Sequence, residues 1–154
     1  MIYSRSSEYA IRAFMHLAQA PDGKYVMVKQ IAEQERIPAH FLSKILQQLA
    51  RKGLLRSSKG PTGGFALVKP PSNITLIEII EILDGLGDYQ RCISGLDECS
   101  DAAPCAMHEA WKDLRSRIMD YLEKTTIADL VRALEEKRRA LEKAKSARGV
   151  ARTV

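Results

Sequence analysis

The three cysteines of the 154-residue chain all lie in one short segment, residues 91–111. Six residues separate Cys92 from Cys99, five separate Cys99 from Cys105, and His108 follows three positions after the last cysteine. Thiolates and imidazoles are the donor groups of iron-sulfur clusters and zinc sites. Because the segment is also rich in Gly, Ser, Asp and Pro, we predict a ligand-binding loop at the start of a helix.

The spacing of these donors distinguishes between the candidate metals. Structural zinc sites prefer ligand pairs two to four residues apart, and only Cys105 and His108 have that spacing here. Gaps of six and five residues favour an iron-sulfur cluster over zinc, and over metal-free thiols that act as a redox sensor or have no role. Three cysteines and one histidine favour a 2Fe-2S cluster, and a 4Fe-4S cluster with an outside ligand is the alternative. We also predict that Cys105 and His108 share one face of the following helix.

The composition limits the kind of protein that carries this loop. With 45% hydrophobic and 28% charged residues, the chain can bury a core and should form one compact unit or a small domain with an appended element. It contains no apolar run of about 18 residues, and its first residues lack the layout of a secretion signal. We therefore expect a cytoplasmic protein, in which clustered cysteines indicate metal binding or redox chemistry before disulfides.

Basic residues are concentrated in the first half of the chain. Residues 1–70 contain 11 Lys and Arg against 4 Asp and Glu, whereas residues 71–154 contain 13 against 15. No acidic residue lies between Glu35 and Glu78. A solvated basic surface is the simpler explanation, but an acid-free run of this length favours a polyanion as partner. The basic residues of this run are Arg36, Lys44, Arg51, Lys52, Arg56, Lys59 and Lys69.

Three helices are predicted in this basic half. The first has Ser6 as its N-cap and ends at Pro21, and the second is a short helix over residues 28–34. Pro38 begins the third helix, which runs to Lys52. The second and third helices, joined by a tight break, form a helix-turn-helix candidate in which the third is the recognition helix.

Helical spacing divides the side chains of the third helix into two sets. The predicted buried stripe consists of Phe41, Leu42, Ile45, Leu46 and Leu49. The predicted open side consists of His40, Ser43, Lys44, Gln47 and Arg51. Hydrogen-bonding side chains of this kind reach base edges in a major groove, although an ordinary amphipathic surface helix has the same composition.

The residues after the third helix predict a β-hairpin. Within residues 54–68, two short β-prone runs flank a turn of Gly and Pro that carries Lys59 at its tip. A helix-turn-helix followed by a basic-tipped hairpin is a winged helix. Its wing would place Lys59, Gly60 and Thr62 against phosphates or in the adjacent minor groove. The alternative is a structural hairpin whose lysine is only solvated.

The second half of the chain contains three predicted helices around the cysteine loop. Thr75 and Glu78 form a capping-box pattern that begins a short helix ending at Gly85. From Ala106 a longer helix has one apolar stripe and a polar opposite face, which favours packing against a second subunit; packing on its own winged helix is the alternative. That stripe consists of Trp111, Leu114, Ile118 and Leu122. A last helix follows Thr126, and its apolar stripe thins into a charged end.

Six motifs, spread over about residues 1–125, carry a family resemblance. They are Y-A-I-R-A near the start, I-P-x-x-F-L-S-K-I-L-Q-Q-L, G-L-L, K-G-P-T-G-G-F, I-T-L-I-E-I-I and the Cys/Cys/Cys/His loop. Together they resemble the Rrf-type winged-helix regulators, the family of the iron-sulfur cluster regulator (IscR) and the nitric-oxide-sensing repressor (NsrR). The chain departs from the usual pattern at Lys59, where the family's wing usually has Arg, and in its first cysteine gap, which is one residue longer.

The resemblance implies a homodimeric transcription factor. It also implies an iron-sulfur cluster on Cys92, Cys99 and Cys105, with His108 as the fourth ligand. Such a dimer would bind a pseudo-palindromic operator in double-stranded DNA, with half-sites one or more helical turns apart. The cluster would control operator affinity by sensing iron, redox state or nitric oxide.

The motifs of common enzyme classes do not occur in the chain. HExxH, GxSxG and GxxxxGK[ST] are absent, and Gly60, Gly63 and Gly64 lie in a hairpin turn instead of opening a helix. A thiolate-imidazole pair of Cys105 and His108 would lack an evident orienting group. We therefore expect a binding protein, and a winged-helix adaptor that binds another protein is the alternative to a DNA-binding regulator.

The predicted fold is mainly α with a small β-hairpin wing. Its predicted parts are a winged helix-turn-helix DNA-binding domain over residues 1–85, a cysteine-rich cluster-binding loop over 86–108, dimerisation and C-terminal helices over 106–148, and a disordered tail over 149–154.

Overall fold

The computed structural model describes residues 2–96 and 99–150, with side chains through residue 145. In chain order the elements are α1 (Arg5–Leu17), α2 (Val28–Glu35), α3 (Ala39–Arg51), β1 (Leu55–Ser58), β2 (Gly64–Leu67), a 3-10 turn (Pro71–Asn73), α4 (Leu76–Leu83), α5 (Gly87–Gln90), α6 (His108–Lys124) and α7 (Ile127–Val150). The described residues are thus mainly helical with one two-stranded antiparallel sheet, which confirms the predicted fold class.

Helix α1 begins earlier than predicted. The Ser4 hydroxyl accepts a hydrogen bond from the Ser7 N–H at 3.2 Å, so Ser4 is the N-cap and the prediction of Ser6 is wrong. The reason is a long-range contact with Asp84, the C-cap of α4. Its carboxylate accepts hydrogen bonds from the Ser4 backbone N–H at 2.8 Å and from the Ser7 hydroxyl at 2.9 Å. This carboxylate joins the start of α1 to the end of α4.

Helix α3 packs on α1, α2 and α4 through fully buried side chains, among them Leu42, Leu46 and Leu49. The buried stripe is as predicted except at Phe41, which is 37% exposed. Phe41 lies at the rim of the core and makes an edge-to-face contact with Tyr9, with ring centroids 5.9 Å apart. The Phe41 ring therefore packs in an aromatic pair and not in the core.

The hairpin forms as predicted. Strands β1 and β2 are antiparallel, with Leu55 opposite Leu67 and Ser58 opposite Gly64. The strand pair is extended by a bridge to the segment before α2, in which Val26 and Phe65 exchange backbone hydrogen bonds of 2.9 Å each. The wing is therefore anchored to the helix-turn-helix and does not project alone.

The capping box at the start of α4 is confirmed. Glu78 accepts hydrogen bonds from the backbone N–H of Thr75 at 3.0 Å and from its hydroxyl at 3.3 Å. The ammonium of Lys69 lies 2.6 Å from the same carboxylate. Burial raises the pKa of Glu78, but these donors more than offset it, so the pKa lies below its ordinary value.

The junction of α6 and α7 docks on the winged helix. Leu122 and Ile127 are fully buried, and backbone hydrogen bonds of 3.0 Å and 2.9 Å join residues 125–127 to residues 74–76. The end of α6 thus packs on its own winged helix, which is the alternative given above for the apolar stripe. Farther from the junction, Leu114 of the same stripe is 50% exposed.

The start of α6 and the end of α7 both differ from the prediction. Helix α6 begins at His108 and not at Ala106, because Met107 forms the N-cap turn. Helix α7 extends to Val150, and residues 151–154 of the predicted tail lie outside the described residues. Within the part of the chain that the structure describes, no helix has the length and apolar composition needed to cross a membrane.

Candidate DNA-binding surface and metal centre

The turn between α2 and α3 sets the orientation of the recognition helix. Arg36 ends α2 in the left-handed conformation, with φ of 54°, and the Ile37 N–H donates to the Ala32 carbonyl at 2.9 Å. Pro38 then precedes α3 in an extended conformation. Because Ile37 is buried while Arg36 and Pro38 are exposed, the turn is fixed from the core side and leaves its outer side to solvent.

The exposed side of α3 carries the residues predicted for base contacts. His40, Lys44, Gln47 and Arg51 are exposed, and Ser43 is half-buried. The Gln47 side-chain amide donates to the Ser43 hydroxyl at 3.3 Å, one helical turn away. These side chains point away from the core on a helix that the core holds rigidly, which is the arrangement of a recognition helix.

An open cleft separates α3 from the hairpin, and predicted residues of both elements line it. Gln47 and Arg51 lie on the helix side, and Lys59 and Gly60 lie on the wing side. Thr62 is exposed at the tip of the wing, just outside this lining set. Met27, Ser57 and Ser58 also line the cleft, and sequence reasoning did not select them because they are neither basic nor on the recognition helix.

Gly64 allows the wing to lie close to the segment before α2, and Gly63 allows the hairpin itself to close. A Cβ on Gly64 would lie 2.2 Å from the Val26 carbonyl oxygen, and Gly64 has a φ of +152°. A Cβ on Gly63 would lie 2.4 Å from the carbonyl oxygen of Ser58 in the same hairpin. No side chain fits at either position, so packing requires the two adjacent glycines of K-G-P-T-G-G-F.

Not every basic residue of the acid-free run faces this cleft. The Lys69 ammonium is paired with Glu78, and the Arg56 guanidinium donates to the Leu67 carbonyl at 3.3 Å. Lys44, Arg51 and Lys59 lie instead on exposed positions of α3 and the wing. Lys44, Arg51 and Lys59 therefore leave positive charge open to a polyanion on the side that carries the recognition helix.

The cysteine loop leads from α5 to α6 and contains three half-buried thiols. Cys105 precedes α6 and is joined to it by a turn, in which the His108 N–H donates to the Cys105 carbonyl at 3.0 Å. The prediction that Cys105 and His108 share a helix face is therefore wrong, because Cys105 is not in the helix. Residues 97 and 98, between the first two cysteines, lie outside the described residues.

One pair of the four predicted ligands is in contact, because the Cys99 Sγ lies 3.4 Å from the His108 Nδ1. The Ser94 hydroxyl lies 3.6 Å from the Cys105 Sγ. The Ser94 hydroxyl, the Met107 backbone N–H and the Cys92 thiol together lower the pKa of the Cys105 thiol below its ordinary value despite partial burial.

His108 is buried, with 4% of its surface exposed, and both of its ring nitrogens have partners. Nδ1 faces Cys99, and Nε2 lies 2.7 Å from the Asp101 carboxylate. The Lys112 ammonium binds the same carboxylate at 2.7 Å and 2.9 Å. Hydrogen bonds from Lys112 and from His108 lower the pKa of Asp101 to about 2.

Sequence reasoning missed Asp101 and Lys112. They are eleven positions apart, one in the loop and one on α6, so no helical or strand spacing relates them. Among the described residues, Asp101, His108 and Glu109 form a group whose donor atoms all lie within 4.8 Å of one another. The Lys112 ammonium already offsets the charge of Asp101 in this group, so the three cysteines with His108 are the better candidate metal ligands.

The helix-turn-helix, the wing and the exposed basic residues between them define a winged-helix DNA-binding protein. The chain belongs to the Rrf2 family, described as iron-dependent transcriptional regulators, whose model matches residues 3–133. It is a DNA-binding transcriptional regulator and not an enzyme.

Individual relatives agree with this family assignment. A protein of Aquifex aeolicus, named as an HTH-type transcriptional regulator, is 40% identical over 139 residues, which are 89% of this chain and 95% of the relative. The structure of CymR (YrzC), the global cysteine regulator of B. subtilis, superposes with a TM-score of 0.70 at 27% identity and covers 84% of this chain and 95% of that one. The structure of T. potens IscR superposes with a TM-score of 0.69 at 26% identity and covers 87% and 88%.

Proposed function

We propose that this regulator binds an iron-sulfur cluster through Cys92, Cys99, Cys105 and His108, and that the cluster controls its affinity for operator DNA. The observation that carries the proposal is the contact between two of the four donors, in which the Cys99 Sγ lies 3.4 Å from the His108 Nδ1. A 2Fe-2S cluster takes two protein ligands at each iron, so a set of four donors suits it. Similarity to T. potens IscR supports cluster binding.

The spacing of Cys99 and His108 fits two ligands of one tetrahedral metal ion. Two ligands of one tetrahedral metal ion lie about 3.5 Å apart when the bonds to sulfur and nitrogen are about 2.3 Å and about 2.0 Å. The Cys99 Sγ and His108 Nδ1 lie 3.4 Å apart. When bound, the cluster supplies a redox-active and chemically labile iron centre. The protein's own part is to hold four donors at the entry of α6.

The position of the loop explains how such a site would act on DNA. Residues 91–107 connect the winged helix to α6. Cys92 lies at the start of this segment, and Cys105 and His108 lie where it meets α6. Fixing them would set the angle at which α6 leaves the winged helix. A coupling of typical size, about 1 to 3 kcal/mol, corresponds to about a 5- to 150-fold difference in operator affinity between the loaded and cluster-free forms.

Helix α6 would also form the dimer. Leu114 and Tyr121 are each 50% exposed on it, and Trp111 and Ile118 line an apolar groove against Tyr3. A second copy of the chain would cover this surface and place two recognition helices on one face, as a pseudo-palindromic operator requires. A regulator that works on DNA in this way would act in the cytoplasm, where thiols stay reduced.

We assign the DNA contacts to the exposed side of α3 and to the wing. On α3 the base-reading and phosphate-binding residues would be His40, Ser43, Lys44, Gln47 and Arg51. On the wing the contacts to phosphates or the minor groove would come from Lys59, Gly60 and Thr62. These residues are accessible or half-buried at the cleft and α3 surface.

The test of the cluster is the absorption spectrum, with the iron and sulfide content, of protein purified without oxygen. We expect a coloured protein with iron and acid-labile sulfide in equal amounts. A colourless protein that contains zinc would refute the iron-sulfur assignment. The 2Fe-2S and 4Fe-4S forms are distinguished by the number of irons per chain.

The test of control is a titration of one operator, at one salt concentration, with loaded protein, cluster-free protein and the triple Cys92→Ala, Cys99→Ala, Cys105→Ala variant. We expect the loaded form to differ from the other two. Equal affinity of all three for the same sites would mean that the cluster is not the switch. Lys59→Ala tests the wing in the same assay, because losing one phosphate contact should reduce the salt slope by about 1.

The hydrogen bond between Ser94 and Cys105, which lowers the pKa of the Cys105 thiol, favours a second candidate, a metal-free thiol switch. A peroxide would oxidise the Cys105 thiolate to a sulfenic acid, and the Cys92 thiol would then displace water to form a disulfide. This candidate predicts peroxide-dependent loss of two thiols in protein that contains no iron. Unchanged thiol content under peroxide would exclude it.

A further inference from the structure

The geometry points to Asp101 and Lys112 as positioning residues that commit His108 to bind metal through Nδ1 and that tune the charge of the cluster site. The inference rests on the proposed cluster and goes beyond it. It assigns the ligating nitrogen and two residues that touch no metal.

The surroundings of His108 assign its proton. A carboxylate accepts hydrogen bonds and donates none, so Asp101, 2.7 Å from Nε2, takes the Nε2–H. Nδ1 then carries the lone pair and is the nitrogen that lies 3.4 Å from the Cys99 Sγ. In the cluster-free protein the thiol of Cys99 donates to this lone pair. A metal that binds both groups replaces the thiol proton.

Burial keeps the ring from presenting its other nitrogen. His108 is 4% exposed, and it is the first residue of α6, so its backbone is held by the helix. A rotation of the ring that turned Nδ1 away from Cys99 would also remove the hydrogen bond between Nε2 and Asp101. The Lys112 ammonium holds the carboxylate at 2.7 Å and 2.9 Å, which keeps Asp101 on the far side of the ring.

This arrangement is the carboxylate-histidine-metal relay found around many metal sites, with a lysine added behind the carboxylate. The carboxylate makes the imidazole a stronger donor and adds negative charge near the site. The ammonium offsets that charge. Asp101 and Lys112 should therefore move the reduction potential of the cluster in opposite directions, which no common structural role of the two residues would produce.

The ligating nitrogen is tested in anaerobically purified full-length protein grown with histidine labelled with nitrogen-15 at Nδ1 alone or at Nε2 alone. Pulsed electron paramagnetic resonance of the reduced cluster then identifies the directly bound nitrogen. We expect the strong coupling to change only with the Nδ1 label. A change with the Nε2 label would overturn the inference.

The role of the two positioning residues is tested with Asp101→Asn and Lys112→Met, in which each charge is removed. Asp101→Asn should raise the reduction potential and Lys112→Met should lower it. Asp101→Ala should also speed cluster loss to a chelator by about 10- to 100-fold, and Asp101→Glu should restore most of the stability. Asp113→Asn is the matched control, because Asp113 is an exposed carboxylate on the same helix that pairs with Arg117.

The outcomes separate this inference from the proposed function. Wild-type protein that assembles no cluster would refute both. A cluster without any strongly coupled histidine nitrogen would leave cluster binding intact and refute the role of His108, Asp101 and Lys112. Shifts of the potential in the same direction for Asp101→Asn and Lys112→Met would show that the residues only support the loop. The unfolding curve of each variant, equal to that of wild type, serves as the folding control.

Discussion

In the winged helix, side chains such as Phe14, Leu46 and Ile79 have no exposed surface, and α1 to α4 and the wing all contribute to one core. In the cysteine loop, residues 91–107, the thiols are only half-buried and the apolar side chains of Ile93 and Leu96 are 48% and 57% exposed. Hydrogen bonds of Ser94, Asp101 and Lys112 hold the loop instead. The first region is stabilised by its own burial of apolar surface, whereas the second has little burial to stabilise it.

This difference matches the work we assign to each region. The winged helix, α1 to α4 with the wing, is the part that reads DNA, and we call it the reading head. It must present the same surface to every operator, so a tightly packed core suits it. A sensor must have two arrangements of similar free energy, so that a ligand can select one of them. If stability is divided between the two regions in this way, changes in one region should leave the other unaffected.

Replacing Gly64 by Ala should produce the largest loss of stability. The new Cβ would lie 2.2 Å from the Val26 carbonyl oxygen, at a φ that side chains disfavour, and the cost should be at least about 2 kcal/mol. Urea unfolding measures it. Gly60→Ala is the matched control, because Gly60 also has a positive φ, of +101°, but no atom lies within 4 Å of its added Cβ. Its smaller loss of stability therefore measures the cost of the backbone conformation alone. Equal costs at both positions would show that the close approach of the wing is not important.

Removing the cluster should loosen the loop and leave the reading head unchanged. Amide hydrogen exchange in residues 91–107 should become at least about tenfold faster after treatment with a chelator, because few apolar contacts hold this segment. Exchange in α1, α3 and α4 should stay within a factor of about two. Faster exchange throughout the protein would mean that the two regions form a single cooperative unit and would contradict the comparison.

The capping box should make the stability of the reading head depend on pH. The pKa of Glu78 is lower in the folded protein than its ordinary value of 4.5, so the stabilisation is present above about pH 4.5 and is lost as the pH falls through the folded-state pKa. Glu78→Gln should lower the free energy of unfolding at neutral pH by about 1 kcal/mol. Glu78→Gln should also weaken the dependence of the free energy of unfolding on pH in the acid range. Asp88→Asn, outside the core, should leave that pH dependence unchanged.

Arg36→Gly should have the smallest effect and the opposite sign. Arg36 holds a left-handed conformation with φ of 54°, which glycine adopts without strain, so the variant should be more stable by about 0.5 to 1 kcal/mol. Thermal unfolding measures this gain. We also expect weaker operator binding, because a basic side chain leaves the helix-turn-helix turn. A variant that is both more stable and equally tight on DNA would show that Arg36 does not contact a phosphate.

The sequence was sufficient to predict the reading head because local rules act there. Helical spacing placed Leu42, Leu46 and Leu49 in the core, and the glycine-rich turn predicted the hairpin. The errors arose where distant contacts decide the outcome. Ser4 replaces Ser6 as N-cap because Asp84, eighty residues later, binds it.

In the loop, residue type predicted the donors but not their arrangement. The spacing of Cys105 and His108 suggested a shared helix face, yet the chain turns between them and the His108 ring contacts Cys99 instead. Asp101 and Lys112 follow no periodic spacing, because a loop residue and a helix residue meet only in the folded chain. Irregular segments of this kind are where sequence patterns carry the least geometric information.

Trp111 is the only tryptophan of the chain, and its indole N–H donates to the Arg91 carbonyl at 3.0 Å. This hydrogen bond joins the first residue of the cysteine loop to α6. The intrinsic fluorescence of the protein therefore reports from the junction between reading head and sensor, without any label. Stopped-flow fluorescence after mixing with a chelator would follow the loop as it leaves α6, in the microsecond-to-second range in which local opening occurs.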